Sequence, residues 1–512
     1  MPSLAIPAGL LRLIASLAEA ANRAPRAALA WALGLHLSFW TLIPALVQPN
    51  LPYDVVEQLA WGREWQWTYF KHPPLPAWIL DVFARLAGGE DRALFVVGPL
   101  ASVLALFLVW KLTRDMLGER AALLAVLLQQ AVLYGTYFSV EFNHNIVQLP
   151  LWVLIALTAR RAALRGTSLD WMALGVASAV GMLGKYSTGL LLLSVLAWFV
   201  SDARLRRKFA ARGPWIALAA FVVVLAPHAI DVAKAEFGPL LFPFSRVGTQ
   251  KQWYDHVKFP IMFVGAQIGG TLPLLGLLAL AQRDRKELLS APVNLGALDR
   301  RLLGLVCWGP FVISVVLQAL WAIKFRDMWG ATFWVFLGPF AVVFLLRAVP
   351  PISARLLASA VAIFSVVLLA YAGQFLGAAF GVVSGRMQFP GAELARVVAQ
   401  NWHRTQGQAP LRFVAGDVWL AGNVALGDWE ERPSVLIDGN FAISPWIDRA
   451  ALDCAGGVAL WRYRKDGDLL KAQLPGLVDQ PQIELPFRTW WVVAPVRIDW
   501  AILPPRPGCV SR

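Results

Sequence analysis

Long, almost uninterrupted apolar stretches alternate with short polar segments over most of the chain. In helical form, about 20 apolar residues are enough to cross a hydrocarbon core of about 30 Å. Read with a window of that length, the pattern predicts about eleven transmembrane helices. They lie at 27–48, 92–112, 119–138, 146–160, 170–184, 187–201, 214–232, 259–281, 302–322, 331–347 and 354–383. The pattern therefore predicts a polytopic α-helical membrane protein rather than several soluble domains.

The basic residues of the loops predict which side of the membrane each loop faces. One alternating set of loops carries most of them: Arg23 and Arg26; Lys111, Arg114 and Arg120; Arg160, Arg161 and Arg165; Arg204, Arg206, Arg207 and Lys208; Arg283, Arg285 and Lys286; Arg347 and Arg355. The positive-inside rule places this set in the cytoplasm. With eleven spans, the loops 49–91 and 233–258, the turn 139–145 and the C-terminus then face outward.

Composition and charge agree with a membrane protein and indicate which kinds of partner it binds. Of 512 residues, 58% are hydrophobic and 15% are charged, whereas a soluble protein carries about 25% charged residues. The formal net charge is +14, which in a soluble domain would indicate nucleic-acid binding. Here the basic residues lie in short loops, where they set orientation and contact anionic lipids. We expect membrane lipids as partners and no nucleic acid.

From about residue 385 the pattern changes to that of a small outer domain. The segment 386–512 has no spanning run, and 390–407 has the pattern of a helix. Short β-type runs are present: LRFVAG, SVLID, GVALWRY and TWWVVAPVRIDWAIL. We expect a transmembrane domain at 1–384 and a small α/β extracytoplasmic domain at 385–512.

Two of the three cysteines lie in this outer domain. Cys307 falls within a span, where it would serve packing. In an oxidising compartment Cys454 and Cys509 can form a disulfide, although the sequence does not give the distance between them.

The polar and aromatic stretch 52–78 lies in the first outer loop, directly after the first span. Pro52 suits a helix start, and Asp54 and Glu57 would share one face of a short helix at 53–63. They are either solvated carboxylates at the interface or catalytic groups. A carboxylate in partly apolar surroundings has a raised proton affinity, which suits a general base.

Lys71 and His72 precede a double proline in the same loop. Proline fixes the backbone and would hold Lys71 at a defined height above the bilayer. A lysine there offers a point charge and three donors to a lipid-linked phosphate. The alternative is a snorkelling lysine that contacts bulk anionic headgroups.

Taken together, the motif Asp54…Glu57…Lys71-His72-Pro73-Pro74-Leu75…Trp78 resembles the GT-C superfamily of membrane glycosyltransferases. Within it, the motif is similar to the protein O-mannosyltransferase and lipid A aminoarabinose transferase families. The layout of many spans, a long first outer loop and a C-terminal outer domain fits as well. The resemblance implies an inverting enzyme that takes a sugar from a polyprenyl phosphate, with Asp54 as catalytic base and Lys71 as phosphate ligand.

A second family feature is an acidic residue in the turn after the third span. Here 139–145 reads SVEFNHN, so Glu141 supplies a carboxylate while the position entering the fourth span is Asn145. Either Glu141 takes the acidic role or Asn145 hydrogen-bonds the acceptor without charge. Asn143 and His144 are candidates for acceptor binding beside Asn145, and all three can instead cap the next span.

A third feature is the Lys185-Tyr186 pair at the outward end of the fifth span, which resembles the family's second basic contact to the donor phosphate. A lysine among hydrocarbon is costly unless it pairs or meets an anion. We also expect Tyr186 to contact the acceptor. Arg326 can grip a phosphate in a bidentate way or pair with Asp327.

The chemistry implied by these parts needs no cofactor. The acceptor hydroxyl would lose its proton to Asp54, with Glu57 and Glu141 as further catalytic candidates. Lys71, His72, Lys185 and Arg326 would bind and stabilise the departing phosphate. The residues near 141–145 include metal-ligand types without ligand spacing, so we expect metal-independent transfer.

Two other functions remain open at this point. A polysaccharide polymerase or ligase would place its main outer loop late in the chain. A lipid or solute transporter would show inverted repeats and midplane charges. We expect a bacterial inner membrane protein whose site faces the periplasm. The sequence leaves open the sugar and the acceptor, which can be lipid A or lipopolysaccharide, another glycan or a protein.

Overall fold

The structure is a computed structural model that describes residues 8–245, 251–282, 295–346, 349–379, 386–427, 431–488 and 493–509. Its α-helices, in chain order, are α1 (Ala8–Arg23), α2 (Pro25–Val47), α3 (Tyr53–Gly62), α4 (Leu75–Leu86), α5 (Val97–Leu117), α6 (Glu119–Gln129), α7 (Gln148–Leu164), α8 (Ser168–Gly184), α9 (Thr188–Ser201), α10 (Ala203–Arg206), α11 (Arg212–Lys234), α12 (Gly238–Ser245), α13 (Asp255–Gln282), α14 (Ala297–Trp321), α15 (Leu337–Phe340), α16 (Ala354–Ala379), α17 (Gly391–Gln406), α18 (Val418–Leu426), α19 (Arg449–Ala455) and α20 (Arg464–Gln473).

Short 3-10 segments and one π segment join these helices. The 3-10 segments are Asp91–Val96, Leu133–Gly135, Tyr137–Val140, Arg207–Ala210, Asp327–Phe336 and Arg386–Gln388, and the π segment is Ala341–Leu345. The strands are β1 (Phe413–Gly416), β2 (Ser434–Ile437), β3 (Gly457–Trp461), β4 (Val478–Asp479), β5 (Ile483–Arg488) and β6 (Val493–Leu503).

Each of the eleven predicted spans coincides with a helical segment. Of the described helices, 7 are long and apolar enough to cross a membrane, or up to 9 if each bent pair counts as one span. The remaining two predicted spans correspond to α7 and α8, which have 17 residues each. The basic residues at 283–286 and 347, and residues 380–383 of the last predicted span, lie outside the described residues. The predicted class, a polytopic helical membrane protein, is confirmed.

The third predicted span, 119–138, is not one straight helix. Helix α6 and the segment 133–140 meet at 90°. The Thr136 hydroxyl donates to the carbonyls of Val132 and Leu133 at 3.2 and 3.4 Å, which offers the backbone an alternative to a continuous helix. A Cβ at Gly98 would lie 1.9 Å from the Ser139 carbonyl oxygen, so glycine lets the bent segment lie directly on α5. The bend delivers the turn 141–145 to the outer loop.

The C-terminal part is a small α/β unit, as predicted. Its sheet has the order β2-β1-β3-β6-β4, and β5 pairs with β6. β1 runs parallel to β2 and β3, whereas β6 is antiparallel to β3. The four predicted β-type runs contain β1, β2, β3 and β6, and the helix predicted at 390–407 is α17. The strands β4 and β5 and the helices α18 to α20 were not predicted.

A disulfide joins Cys454 at the end of α19 to Cys509, with the two Cα atoms 5.5 Å apart. This separation is usual for a disulfide. Cys307 is a free, buried cysteine, in agreement with its predicted packing role. The predicted boundary between 384 and 385 lies outside the described residues.

The C-terminal unit lies on the first outer loop through α18 and α3. Asn50 donates to Asn423 at 2.8 Å, and Trp419 stacks on Tyr53 with ring centroids 5.7 Å apart. A Cβ at Gly422 would lie 2.7 Å from the Val56 side chain, so α18 approaches α3 closely. The outer domain therefore covers the short helix that carries Asp54.

Candidate active site

Helix α3 places Asp54 in its first turn, as the sequence predicts. Pro52 is extended and precedes the helix, and a carboxylate in the first turn is favoured by the helix dipole. Asp54 is half-buried, and its Oδ2 accepts a hydrogen bond from Asn143 Nδ2 at 2.9 Å. Among the described residues, Oδ1 accepts no hydrogen bond. One carboxylate oxygen is therefore held while the other is free to meet a substrate.

Glu141 lies directly beside Asp54. The backbone N–H of Asp54 donates to Glu141 Oε1 at 3.1 Å. Burial raises the pKa of Asp54, while the Asn143 hydrogen bond and the charges of Lys71, Lys185 and Arg326 lower it. Burial, and then the Asp54 charge, raise the pKa of Glu141 to about 7. The two carboxyl groups therefore form a pair that takes up a proton near neutral pH.

Glu57 does not join this pair although it is only three residues from Asp54. It is 3% exposed, and its Oε1 accepts a hydrogen bond from Lys71 Nζ at 2.6 Å. The Lys71 ammonium also lies over the rings of Trp61 and Phe70, 5.3 and 5.4 Å from their centroids. Two residues to which the sequence assigned separate roles are thus brought together as a largely buried ion pair.

His72 and His144 stack on each other, with ring centroids 4.0 Å apart. His144 Nε2 lies 3.1 Å from the Pro73 carbonyl oxygen, which can only accept, so Nε2 carries the proton. Nδ1 then accepts from Gln58 Nε2 at 3.5 Å. Burial lowers the pKa of His144 to about 3. His144 is therefore neutral, and it fastens the Lys71-bearing loop to the turn 141–145.

Asn143 has two structural functions in that turn. Its Oδ1 accepts from the backbone N–H groups of Asn145 and Ile146 at 2.8 and 3.3 Å. These bonds cap the turn that precedes α7 rather than α7 itself, whose N-cap residue is Val147 with no side-chain cap bond. Its Nδ2 holds Asp54, as described above. Asn143 therefore links the start of the fourth predicted span to the candidate base.

Asn145 meets Lys185 rather than solvent. Its Oδ1 accepts from Lys185 Nζ at 2.5 Å, and the ammonium lies 5.4 Å from the centroid of the Trp329 ring. Burial lowers the pKa of Lys185 to about 7, and the charge of Asp54 opposes this effect. The described residues offer Lys185 no carboxylate within ion-pair distance. An anion bound next to Lys185 would balance the charge of its ammonium group.

Tyr186, next to Lys185, is turned toward the first outer loop. Its hydroxyl lies 3.2 Å from His228 Nε2, and His228 Nδ1 lies 2.6 Å from the carbonyl oxygen of Trp67. Because that carbonyl only accepts, His228 Nδ1 donates to it, and the Tyr186 hydroxyl donates to Nε2. Tyr186 therefore helps to hold the loop that carries Lys71.

Arg326 is exposed at the start of the 3-10 segment Asp327–Phe336. It is close enough to Asp54 for its charge to lower the pKa of that carboxyl. Among the described ion pairs there is none between Arg326 and Asp327, the alternative that the sequence left open. Like Lys185, Arg326 therefore contributes positive charge near Asp54.

Sequence reasoning missed the aromatic and cationic groups that surround Tyr53. The Arg386 guanidinium lies 4.5 Å from the centroid of the Tyr53 ring, and Trp419 stacks on the same ring. The charge of Arg386 lowers the pKa of Glu141. No local signal could have revealed these contacts, because they join the first outer loop to residues that follow the last span.

The candidate ligands do not gather as a metal site. Within the described ranges, no three His, Cys, Asp or Glu side chains are placed to hold a metal ion together. Metal-independent transfer remains a prediction.

Comparison with known proteins identifies relatives of this arrangement. Residues 71–230 match the model of the dolichyl-phosphate-mannose-protein mannosyltransferase family. This range begins at Lys71 and includes Glu141 and Lys185, whereas Asp54 precedes it. A curated relative is the undecaprenyl phosphate-alpha-4-amino-4-deoxy-L-arabinose arabinosyl transferase of Edwardsiella ictaluri, 27% identical over 244 residues, which are 42% of this chain and 41% of the relative. The match thus spans about two fifths of that relative's length.

Two solved structures share the fold over nearly the whole chain. ArnT from Cupriavidus metallidurans in the apo state has a TM-score of 0.60 at 16% identity, covering 94% of this chain and 100% of the other. The same protein bound to undecaprenyl phosphate has a TM-score of 0.54 at 16% identity, covering 94% and 99%. The predicted resemblance and the predicted GT-C fold, with a C-terminal sheet domain, are confirmed by these comparisons.

Proposed function

We propose that this chain is an inverting membrane glycosyltransferase that moves a sugar from a polyprenyl phosphate to a lipid acceptor. The observation that carries the proposal is the half-buried Asp54–Glu141 pair, which faces the cations Lys185 and Arg326. A base beside an anion-binding group is what a sugar transfer with a phosphate leaving group requires.

The donor we propose is a sugar linked to undecaprenyl phosphate. The curated relative is named for such a donor, and one structure with the same fold was solved with undecaprenyl phosphate bound. We propose lipid A as the acceptor class, in line with the predicted family. A transfer assay with different sugar donors would identify the sugar.

In the proposed reaction, Asp54 is the general base. The acceptor oxygen gives its proton to Asp54 Oδ1 while it attacks the anomeric carbon. The bond from that carbon to the phosphate oxygen breaks, and both electrons leave with the polyprenyl phosphate. Asn143 holds Oδ2 at 2.9 Å and so directs Oδ1 to the acceptor. Burial keeps the proton affinity of Asp54 high, and Glu141 titrates together with it as a pair.

The phosphate charge that develops is stabilised by the cations. Lys185 and Arg326 are available to it without breaking an ion pair. Lys71 uses one of its three donors on Glu57 and can offer the others to the phosphate. We propose that Glu57 supports Lys71, and that His72 and His144 position the loop. Asn145 and Tyr186 line this side of the site next to Lys185.

The site is proposed to face the periplasm of a bacterial inner membrane. The positive-inside rule places the first outer loop opposite the basic loops. The disulfide between Cys454 and Cys509 suits an oxidising compartment on the same side. Residues 1–384 would form the catalytic transmembrane domain, and 385–512 the periplasmic domain that covers α3.

A transfer assay with the purified protein tests the proposal. The protein in nanodiscs is incubated with undecaprenyl phosphate carrying different sugars and with lipid A, another glycan lipid or a peptide as acceptor. We expect mass spectrometry to detect a glycosylated lipid with one donor and the release of undecaprenyl phosphate. Consumption of none of the donors would reject the proposal, and a lipid-flipping assay would then test the transporter alternative.

A further inference from the structure

A second polar contact joins the first outer loop to the C-terminal domain, away from the Asp54–Glu141 pair. Its centre is Asp81 in α4, a carboxylate that is 0% exposed. Oδ1 accepts from the Arg432 guanidinium at 2.8 Å. Oδ2 accepts from Trp65 Nε1 and Arg85 Nε, each at 2.7 Å. Burial raises the pKa of Asp81, but these three hydrogen bonds outweigh it and hold the pKa below its usual value.

Two of the three partners have a strained backbone. The φ angle is +44° at Trp65 and +36° at Arg432, in the left-handed region that non-glycine residues seldom adopt. Such a conformation persists only where the surrounding structure compensates for it. Here Asp81 bonds the side chains of both strained residues, so the two strained segments depend on one carboxylate.

The contact extends to neighbouring residues on both sides. The Arg63 guanidinium donates to the carbonyl oxygen of Glu431 at 3.2 Å, and the Ser434 side chain opposes the rise in the pKa of Glu64 that burial causes. Residues 63–65 and Asp81 thus face residues 431–434, directly before and at the start of β2. A single surface of the outer domain is fixed to the end of α3 and to α4.

The segment that this contact closes carries Lys71. It leaves α3 at Gly62, where a Cβ would lie 2.4 Å from the Ala77 carbonyl oxygen, and it returns at α4. Trp65 and Trp67 both pack on Trp78, with ring centroids 5.6 and 4.8 Å apart. The Asp81 hydrogen bond to Trp65 therefore fixes one end of the loop that carries Lys71.

We propose that Asp81 is a positioning residue that latches the C-terminal domain to the α3–α4 loop and so holds Lys71 at the donor site. The inference rests on the proposed function. Asp54 and Glu141 are held separately, through Asn143 and the turn 141–145. Loss of the latch should therefore weaken donor binding and leave the chemical step nearly intact.

The chain offers a matched control within the same cluster. Arg85 bonds the same Oδ2, but it lies on α4 itself and its side chain is 57% exposed. Arg432 comes from the C-terminal domain, and its side chain is 14% exposed. Arg432→Gln removes the Asp81 ion pair between the two domains, whereas Arg85→Gln removes a hydrogen bond within α4 only.

The kinetic test compares these variants with the wild type in nanodiscs. We expect Arg432→Gln to raise the KM for the donor by about fivefold or more, with kcat within about twofold. Arg85→Gln should leave both unchanged, and Arg432→Lys should restore part of the donor KM. The double variant Asp81→Asn with Arg432→Gln should raise the donor KM by less than the product of the two single effects, because both changes remove the same contact. Equal behaviour of Arg432→Gln and Arg85→Gln would overturn the proposal, as would a fall in kcat alone.

A second measurement keeps this test separate from that of the transferase itself. Hydrogen exchange of the wild type and of both variants is followed by mass spectrometry. We expect Arg432→Gln to accelerate exchange at 63–72 and 431–437 together, and Arg85→Gln to accelerate neither. Unchanged exchange at 63–72 in Arg432→Gln rejects the latch even if sugar transfer is observed. Coupled acceleration without any sugar transfer keeps the latch and rejects the proposed function.

Discussion

The two lysines at the candidate donor site are held in opposite ways. Lys71, in the first outer loop, forms a 2.6 Å ion pair with the buried Glu57. Lys185, at the end of α8, meets the neutral amide of Asn145 at 2.5 Å. Both ammonium groups also lie over tryptophan rings, at 5.3 Å for Lys71 and 5.4 Å for Lys185. The difference between the two sites is therefore the charge of the partner.

This difference suggests different roles for the two lysines. Lys71 stabilises the fold through its ion pair, whereas Lys185 is suited to bind an anionic ligand. The charge of Lys71 is balanced before any donor arrives, so its removal takes the ion-pair partner away from the buried Glu57 carboxylate. The charge of Lys185 has no carboxylate in contact among the described residues, and burial lowers its pKa to about 7. A phosphate would supply the missing anion. Lys71 should therefore matter most for stability, and Lys185 for donor affinity.

The largest expected effect is the loss of stability in Lys71→Ala. Without Lys71, the buried Glu57 loses the ion pair that balances its charge, and removing one partner of a buried ion pair costs about 3–5 kcal/mol. We expect a clearly lower melting temperature in detergent. The double variant Glu57→Gln with Lys71→Met should recover most of it, because neither charge remains. A Lys71→Ala protein as stable as the wild type would contradict the claim that Lys71 matters most for stability.

Next in size is the loss of donor affinity in Lys185→Met. A hydrogen bond from a charged group to a ligand contributes about 1.5–3 kcal/mol, so the dissociation constant for undecaprenyl phosphate should rise about 10- to 100-fold. Stability should change little, because Asn145 is neutral. Isothermal titration and thermal unfolding on the same sample measure both effects. Unchanged affinity would show that phosphate does not meet Lys185.

A smaller effect is expected in the pH dependence of donor binding. Lysine is charged below its pKa, so wild-type affinity should fall as the pH rises above about 7, by at most about tenfold per unit. Arginine stays charged at these pH values. In Lys185→Arg the affinity should therefore be nearly constant between pH 7 and 9. A decline as steep as in the wild type would assign the titration to another group.

The smallest expected effect concerns the carboxylate pair, in Glu141→Gln. Removal of the adjacent negative charge lowers the pKa of Asp54, so Asp54 stays ionised at lower pH. The acid limb of the kcat profile should shift to lower pH by roughly half a unit to one unit. The amide oxygen still accepts the Asp54 N–H, so the geometry is kept. An unmoved acid limb would mean that Glu141 does not set the proton affinity of the base.

The sequence predicted the membrane fold and the residue types of the site better than their partners. Apolar length is a local property, so all eleven predicted spans coincide with helical segments. Spacing could place Asp54 and Glu57 on one helix face, but it could not show that Glu57 turns to Lys71 while Asp54 turns to Asn143. The Asp54–Asn143 contact depends on the bend at 90° between α6 and the segment 133–140, which no local pattern indicates.

The sequence did not predict the contacts that the outer domain makes with the first outer loop. Arg386 reaches Tyr53, and Arg432 reaches Asp81, across more than three hundred residues of chain. Neither arginine stands in a motif. The packing of the outer domain on α3 and α4 brings them to the first outer loop. The family resemblance indicated Asp54 as the candidate base and the two lysines as candidate phosphate ligands, whereas the fold revealed which charges are already balanced.

The most direct test of the central claim compares Asp54→Asn with the wild type in single-turnover transfer and in donor binding. The asparagine keeps the shape and the contact with residue 143 but cannot take the acceptor's proton. We expect the transfer rate to fall by about 10²- to 10⁴-fold, while undecaprenyl phosphate binds as tightly as before or more tightly. Transfer by Asp54→Asn at the wild-type rate would contradict the assignment of Asp54 as the base.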